Sequence, residues 1–307
     1  MIRSPHTYSY RTSGGVHFRV FTEQNASFFI SFFRKRNPHM MQIAAANTKK
    51  TTRKSPLWYH LLPWLLPVLI LLIWQTISSL GWLTVAQLPS PLVILKQFIH
   101  LAGKGTLFIH LKISTERALT GFLIGGTLGL IAGIFSGLGK LVERTVDPMI
   151  QMLRTVPHLI IAPLFIMWFG IDELSKVLLI SFGAFFPMYI NTYLGIRSVD
   201  SKMFEVTQVL QFSRFQQIIK LVIPSALPNI LLGVRLSLGI SWLGLVVAEL
   251  MGSSSGVGYM IQDARQFSQT DIVFVGILLF ALVGKLSDSL VRLLEWKFLR
   301  WRDTYKG

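Results

Sequence analysis

The sequence contains no cysteine. A disulfide framework and a thiolate metal site are therefore excluded. Acids are scarce: 14 Asp and Glu stand against 30 Lys and Arg, for a formal net charge of +16. Charged residues make up only 14% of the 307 positions, where a soluble domain carries about 25%. The shortfall argues against an ordinary soluble enzyme. What is present is apolar: 51% of the residues are hydrophobic, with 22 Phe and 8 Trp among them. So apolar a chain is not a disordered one. A chain both this apolar and this basic is either a membrane protein or a nucleic-acid binder with a large core. Where the charges fall decides between them.

More than half of the positive excess lies in the first sixth of the chain: residues 1–55 carry a net +9, and residues 56–307 a net +7. The first segment shows no helical or strand period and is expected to be a basic, disordered extension. Its apolar run Ala26–Phe33 comes before Arg34-Lys35-Arg36, the reverse of a signal peptide. It reads as a charged leader held on the cytoplasmic side, although a nucleic-acid arm has the same composition. Met40 and Met41 stand just before a stretch that reads as a normal start, so translation is expected to begin at one of them.

A helix needs about 20 apolar residues to cross a bilayer. Between Lys54 and Lys96 there is no charged side chain, and Leu61–Leu80 is almost wholly apolar. Further runs lie between Arg117 and Lys140, from Met149 to Gly170, between Lys176 and Arg197, from Leu221 to Leu250, and from Ile272 past Lys285. Six such runs exclude a nucleic-acid binder and predict six spans, with no acid well inside any of them. With the N-terminus inside, the segments on that side hold 16 Lys/Arg and those opposite hold 5. The bias places both termini in the cytoplasm. The second run carries Gly121, Gly125, Gly129, Gly133 and Gly137. Glycine at every fourth residue makes a face that another helix approaches backbone to backbone. The fifth run has a weaker version in Gly233, Ser237 and Ser241. That partner is either another helix of this chain or a second copy of it.

Three enzyme signatures fail. Gly252-Ser253-Ser254-Ser255-Gly256 spells a nucleophile elbow, but it follows a membrane helix instead of a strand. No His follows His158 to act as a downstream base. The seven His include no i,i+4 pair, so no metal site is expected. No Walker-type phosphate loop occurs, so the chain has no such loop for ATP. No catalytic residue is expected, and no cofactor on this chain.

The informative segment is the loop at 196–220. Asp200 or Ser201 can cap a helix there. Its apolar side chains, Met203, Phe204, Val209, Leu210, Phe212, Phe215 and Ile218 among them, lie outside the spans and need a surface to cover them. The bilayer interface is one candidate and a groove on a partner protein the other. The chain then turns into the fifth span at Leu221-Val222-Ile223-Pro224.

Here the sequence resembles the permease subunits of ATP-binding-cassette importers. Their cytoplasmic signature is E-A-A, three residues, G, nine residues, I-x-L-P. Glu205-Val206-Thr207, Gln211 and Leu221-Val222-Ile223-Pro224 keep that spacing, with Gln in place of the glycine. A glycine there suits a positive φ, which costs Gln about 1 kcal/mol or more. The runs Ile150–His158, Trp168–Glu173, Phe186–Thr192 and Gly233–Leu236 through Val247–Glu249 resemble the nitrate/sulfonate/taurine branch, most of all its aliphatic sulfonate permeases. The likeness covers about residues 57–303. It implies an all-α polytopic fold, with six transmembrane helices in the type I ABC importer arrangement. It also implies an ATPase subunit that holds the ATP, an external solute-binding protein, and a homodimer of permease chains in membrane lipid. The residues implied at the ATPase contact are Glu205, Gln211, Phe212, Phe215, Ile223 and Pro224.

An ionisable side chain inside a span faces a cavity or pairs internally. Arg154 and Arg235 are the arginines in question. Either can meet an anionic substrate, and each can equally pair with an acid to fix helix packing. Pro157, Pro163, Pro224 and Pro228 interrupt the third and fifth spans, which makes these the expected cavity walls. The candidate substrate path is Arg154, His158, Tyr189, Asn191, Arg235 and Glu249, with Glu249 near the outer face. Two other classes remain in view: an ion-driven transporter, which calls for intramembrane acids or inverted repeats, and a membrane hydrolase, which lacks its base.

Overall fold

The computed structural model describes residues 9–11, 17–19, 58–81, 84 and 86–299. The chain divides into two compact units, Met1–Leu66 and Pro67–Gly307. In the first, strands β1 (Ser9–Arg11) and β2 (His17–Arg19) pair antiparallel, with Tyr10 opposite Phe18. Strands of three residues are too short to display a period, which is why none is legible in the sequence. Arg34–Arg36, Met40 and Met41 lie outside the described residues.

The described remainder is helical: α1 (Trp58–Ser79), α2 (Pro91–Gly103), α3 (Thr106–Leu138), α4 (Lys140–Leu153), α5 (His158–Phe169), α6 (Glu173–Arg197), α7 (Ser201–Val209), α8 (Arg214–Gln217), a π-helical turn Ile218–Val222, α9 (Ile223–Gly252), α10 (Val257–Gln266) and α11 (Thr270–Phe298). The stretches 106–138, 173–197, 214–252 and 270–298 are each long and apolar enough to cross a membrane. Helix α1, at 22 residues, covers the first expected span. The short helices α2 and α10 are absent from the sequence reading. So is the division of the third expected span into α4 and α5. The break falls at Thr155-Val156-Pro157, because the ring of Pro157 disfavours helix in the residue before it.

Polarity in α3 is inverted relative to a soluble helix. Its buried face holds Ser114, Ala118, Gly121, Gly125, Gly129, Gly133, Ser136 and Gly137. Its exposed face holds Leu119, Leu123, Leu128, Ile131 and Phe135. Lipid satisfies the large apolar side chains, so small residues turn inward where backbones must approach.

Their partner is α6. A methyl built on Gly121 would lie 2.5 Å from Ile180 Cγ2, on Gly133 2.7 Å from Thr192 Cβ, and on Gly137 2.8 Å from Ile196 Cβ. On Gly125 it would collide with the Ser181 carbonyl, and on Gly129 with that of Phe185. The glycine stripe therefore packs within the chain. On the opposite face of α6 lies α9, where Gly233 meets Asn191 and Met188, and Ser237 Oγ donates to Ala184 O at 2.7 Å. Helix α6 is thus the central element between α3 and α9.

Residue numbers rise together along the α3–α6 contact, so these two helices run parallel. The chain between them must therefore climb back from one end to the other. From Gly121 to Gly137 that height is about 24 Å, at 1.5 Å per residue. Helices α4 and α5 make the climb jointly. Glu143 and Asp147 meet Tyr193 and Tyr189, Ile150 packs with Phe186, and Ala162 with Leu179. Neither helix alone is long enough; the pair together covers that height.

Candidate functional site

One end of the bundle is closed by an ionic network in which Arg117, Lys176 and Glu249 are buried and Glu173 is exposed. Arg117 is the twelfth residue of α3 and is 4% exposed. Its Nε and Nη2 donate to the two Glu173 oxygens at 2.6 Å each, and its Nη1 donates to Glu249 Oε1 at 2.8 Å. Nη1 and Nη2 also donate to Ser255 O at 2.6 Å and Ser255 Oγ at 3.0 Å. Glu249, 1% exposed, further accepts from Ser114 Oγ at 2.7 Å and from the Gly258 amide at 2.7 Å. Ser114 Oγ in turn accepts from the Val257 amide at 2.8 Å. Lys176 donates to Glu173 at 3.0 Å. Two cations and two carboxylates balance, and α3, α6, α9 and the start of α10 are tied together. Gly256, at φ +110, leaves no room for a side chain against the Glu249 carboxylate. Glu249, near the end of α9, is thus fully enclosed by protein and neutralised by an arginine 132 positions away. The Gly252–Gly256 run is a strut of this network, with Ser255 held by Arg117.

The opposite end carries the segment between α6 and α9. Asp200 caps α7, its Oδ1 accepting from the Lys202 amide at 3.0 Å. Gln211 has φ +54. The Phe212 amide donates to Thr207 O at 3.0 Å and the Gln211 amide to Gln208 O at 2.9 Å. That pair of bonds is a Schellman closure, whose left-handed residue is ordinarily glycine. Ser213 and Gln216 form a capping box that starts α8. The π turn follows because Pro224 has no N–H to return to Lys220; the Ile223 amide instead donates to Ile218 O.

Phe204 packs against Ile196, Val222 and Ala226, which anchors the segment to the bundle. Its outer face, Met203, Val206, Val209, Leu210 and Phe215, is exposed, Val209 to 83%. Glu205, Gln211 and Ile223 are exposed beside it, while Phe212 is half-buried under Lys220, 5.1 Å from its ring centre. Pro224 is half-buried at the turn into α9.

Between the two ends lies a groove of about 360 Å³ lined by Arg154, Gly183, Phe186, Pro187, Ile190, Asn191, Leu236 and Ile240. Of the six expected path residues it gathers Arg154 and Asn191. The Asn191 amide nitrogen donates to Pro187 O at 2.7 Å. Arg154 is exposed, and its guanidinium has no hydrogen-bond or ion-pair partner among the described residues. Arg235 differs: its Nε donates to Asp288 Oδ1 at 2.5 Å, and Asp288 also accepts from Arg292 at 2.9 Å. Tyr189 is fully buried, stacked on Phe185 and Tyr193, and donates to Asp147 Oδ1 at 2.9 Å. Glu249 belongs to the closed end. His158 begins α5, and its side chain lies outside those described. The sequence reading missed Arg117, Glu173 and Asp288, the partners that decide which charges are satisfied. No group of three or more potential metal ligands occurs among the described residues.

Residues 125–300 match the family of binding-protein-dependent transport system inner membrane components. The chain is 61% identical over 264 residues to the protein of Bacillus subtilis provisionally named aliphatic sulfonates transport permease protein SsuC, covering 86% of this chain and 95% of that one. It is 35% identical to the taurine transport system permease protein TauC of Escherichia coli, over 76% of this chain and 86% of that one. Among solved structures, an amino acid ABC transporter with histidines superposes with a TM-score of 0.56 at 17% identity, over 65% of this chain and 98% of that one. That likeness shows the fold. The chain belongs to the family of binding-protein-dependent transport system inner membrane components: it is a multi-helix membrane permease, a transporter component with the all-α type I importer fold.

Proposed function

We propose that this permease carries aliphatic sulfonates inward across the inner membrane, driven by ATP hydrolysis on a separate ATPase subunit. The observation that supports the ATPase contact most directly is the apolar outer face of α7–α8. It is anchored to the bundle from behind and uncovered in front, with Glu205 and Gln211 on it and Ile223 and Pro224 at its exit. A groove on the ATPase would cover that face. Two permease copies, two ATPases and an external solute-binding protein make the working assembly. Nucleotide binding moves the α7–α8 segments, and the ATPases' unequal affinity for two permease states drives the alternation of access. The sulfonate assignment draws on the name of the Bacillus relative and on the permease's own cation at the groove. Taurine or nitrate is the alternative within the branch.

The end bearing α7–α8 holds Lys140, Arg144, Lys202, Arg214 and Lys220, and we place it in the cytoplasm. The absence of natural cysteine makes the orientation directly measurable. Val206→Cys is expected to label with a membrane-impermeant maleimide only from the cytoplasmic side, and Ser254→Cys only from outside; the reverse pattern would invert the topology. The ATPase contact is tested by co-purification. An ATPase subunit should accompany the wild-type chain and be lost on deletion of residues 201–217. Purification without any ATPase would defeat the proposal.

A further inference from the structure

We infer that the groove between the α4–α5 bend, α6 and α9 is a chain-length-selective substrate site, in which Arg154 receives an oxyanion head and Phe186, Ile190, Leu236 and Ile240 cover an alkyl tail. The inference rests on the proposed transport of organic anions and deepens it. It separates the two arginines that the sequence leaves equivalent. Arg235 is neutralised by Asp288 at 2.5 Å. Arg117 is neutralised by Glu173 and Glu249. Arg197 pairs with Glu143, and Arg292 with Asp288 at 2.9 Å. Arg154 alone among these has no counter-charge, and it stands level with Phe186 and Pro187, midway along α6. An unpaired guanidinium at that depth is costly unless it faces water or an anion. Its planar fork of donors matches an oxyanion such as a sulfonate.

The remaining lining decides the class of anion. Apart from Arg154 and the Asn191 amide, the side chains on the groove are apolar. A bare inorganic anion would leave those walls uncovered by the substrate. A short aliphatic chain would cover them, and each methylene so buried strengthens binding by about fourfold. A volume of about 360 Å³ lies at the small end of the range for small-molecule pockets. The occupant is therefore an amphiphilic anion with a short alkyl tail. Its head lies at the α4–α5 bend and its tail runs toward Leu236 and Ile240. This would make the permease a second point of selection, independent of the external binding protein.

The test is uptake by the complete importer, with permease, ATPase and binding protein in proteoliposomes. Radiolabelled methanesulfonate and hexanesulfonate are compared at saturating binding protein, so that capture outside the membrane does not set the ratio. Leu236→Trp and Ile240→Trp, which fill the tail end, should lower hexanesulfonate uptake at least tenfold relative to methanesulfonate. Arg154→Gln should lower both at least tenfold, and Arg154→Lys should restore part of the loss. Stoichiometric ATPase in each purified complex establishes that the variant has folded and assembled; Ile240→Phe serves if the Trp variants do not. An unchanged methanesulfonate-to-hexanesulfonate ratio in assembled complexes, or wild-type uptake by Arg154→Gln, would overturn the inference while leaving sulfonate transport intact. Loss of the two-copy permease in both Trp variants and in Ile240→Phe would make the groove a subunit contact, and would also overturn it. Uptake of neither sulfonate by the wild-type importer would defeat the functional reading, and the groove assignment with it.

Discussion

Arg117 and Arg154 are both arginines inside a membrane protein, yet their surroundings are opposite. Arg117 is 4% exposed and makes five hydrogen bonds, to two carboxylates, a carbonyl and a hydroxyl. Arg154 opens on a groove and, among the described residues, meets no acid. The same contrast separates the two ends of the bundle. At one end polar groups satisfy one another and lock α3, α6, α9 and α10. At the other, α7–α8 leaves Val206, Val209 and Phe215 uncovered. A closed network is architecture. A group left open within an otherwise satisfied fold is where a substrate or a partner is due.

Removing a member of the closed network should have the largest effect. Glu249→Ala leaves Arg117 buried with one counter-charge fewer, and breaking a buried pair in this way costs about 3–5 kcal/mol. Thermal unfolding in detergent should show a large loss, whereas Arg154→Ala should unfold close to wild type. Equal destabilisation by the two would erase the distinction between them.

The helix contacts give a second, smaller contrast. Gly125→Ala places a methyl against the Ser181 carbonyl and should cost about 1–3 kcal/mol, as overpacking does. Gly239→Ala, with nothing within 4 Å of the new methyl, should be neutral or stabilising by up to about 1 kcal/mol. The same melting experiment orders the two. A stabilising Gly125→Ala would show that α3 and α6 are not in backbone contact.

The smallest effect belongs to the strained turn. Gln211 holds φ +54 in a closure that glycine adopts freely, so Gln211→Gly should stabilise α7–α8 by about 1 kcal/mol. Hydrogen exchange of the Gln208–Phe212 amides should slow accordingly. Faster exchange would mean that the Gln211 side chain contributes contacts outweighing the backbone strain.

Much of the fold is legible in the sequence because a bilayer imposes local rules. Charge-free runs mark the crossings, and the spacing from Glu205 to Pro224 marks the segment between α6 and α9. Four-residue glycine spacing announces a close helix contact around Gly121–Gly137, but the partner is a matter of three dimensions. Only the structure shows that it is α6 of the same chain. Charges mislead for a related reason. Arg117 reads as a lone charge beside an apolar run, which says nothing of the acids it meets. Its partners lie 56 and 132 positions away, and no local pattern joins them. Arg154 and Arg235 look alike in sequence, and only the position of Asp288 separates them. Helices α2 and α10 are too short to produce a span-like run. The division between α4 and α5 is marked only by Pro157, which can equally kink a single helix.

Inward movement of aliphatic sulfonates by this permease is measurable as uptake of radiolabelled alkanesulfonate into a strain from which the chain has been deleted, with and without the gene restored. Deletion should abolish uptake, and growth on alkanesulfonate as sole sulfur source, with both recovered on restoring the wild-type chain but not the Arg154→Gln variant. Undiminished alkanesulfonate uptake in the deletion strain, with no other sulfonate importer present, would contradict inward sulfonate transport by this chain.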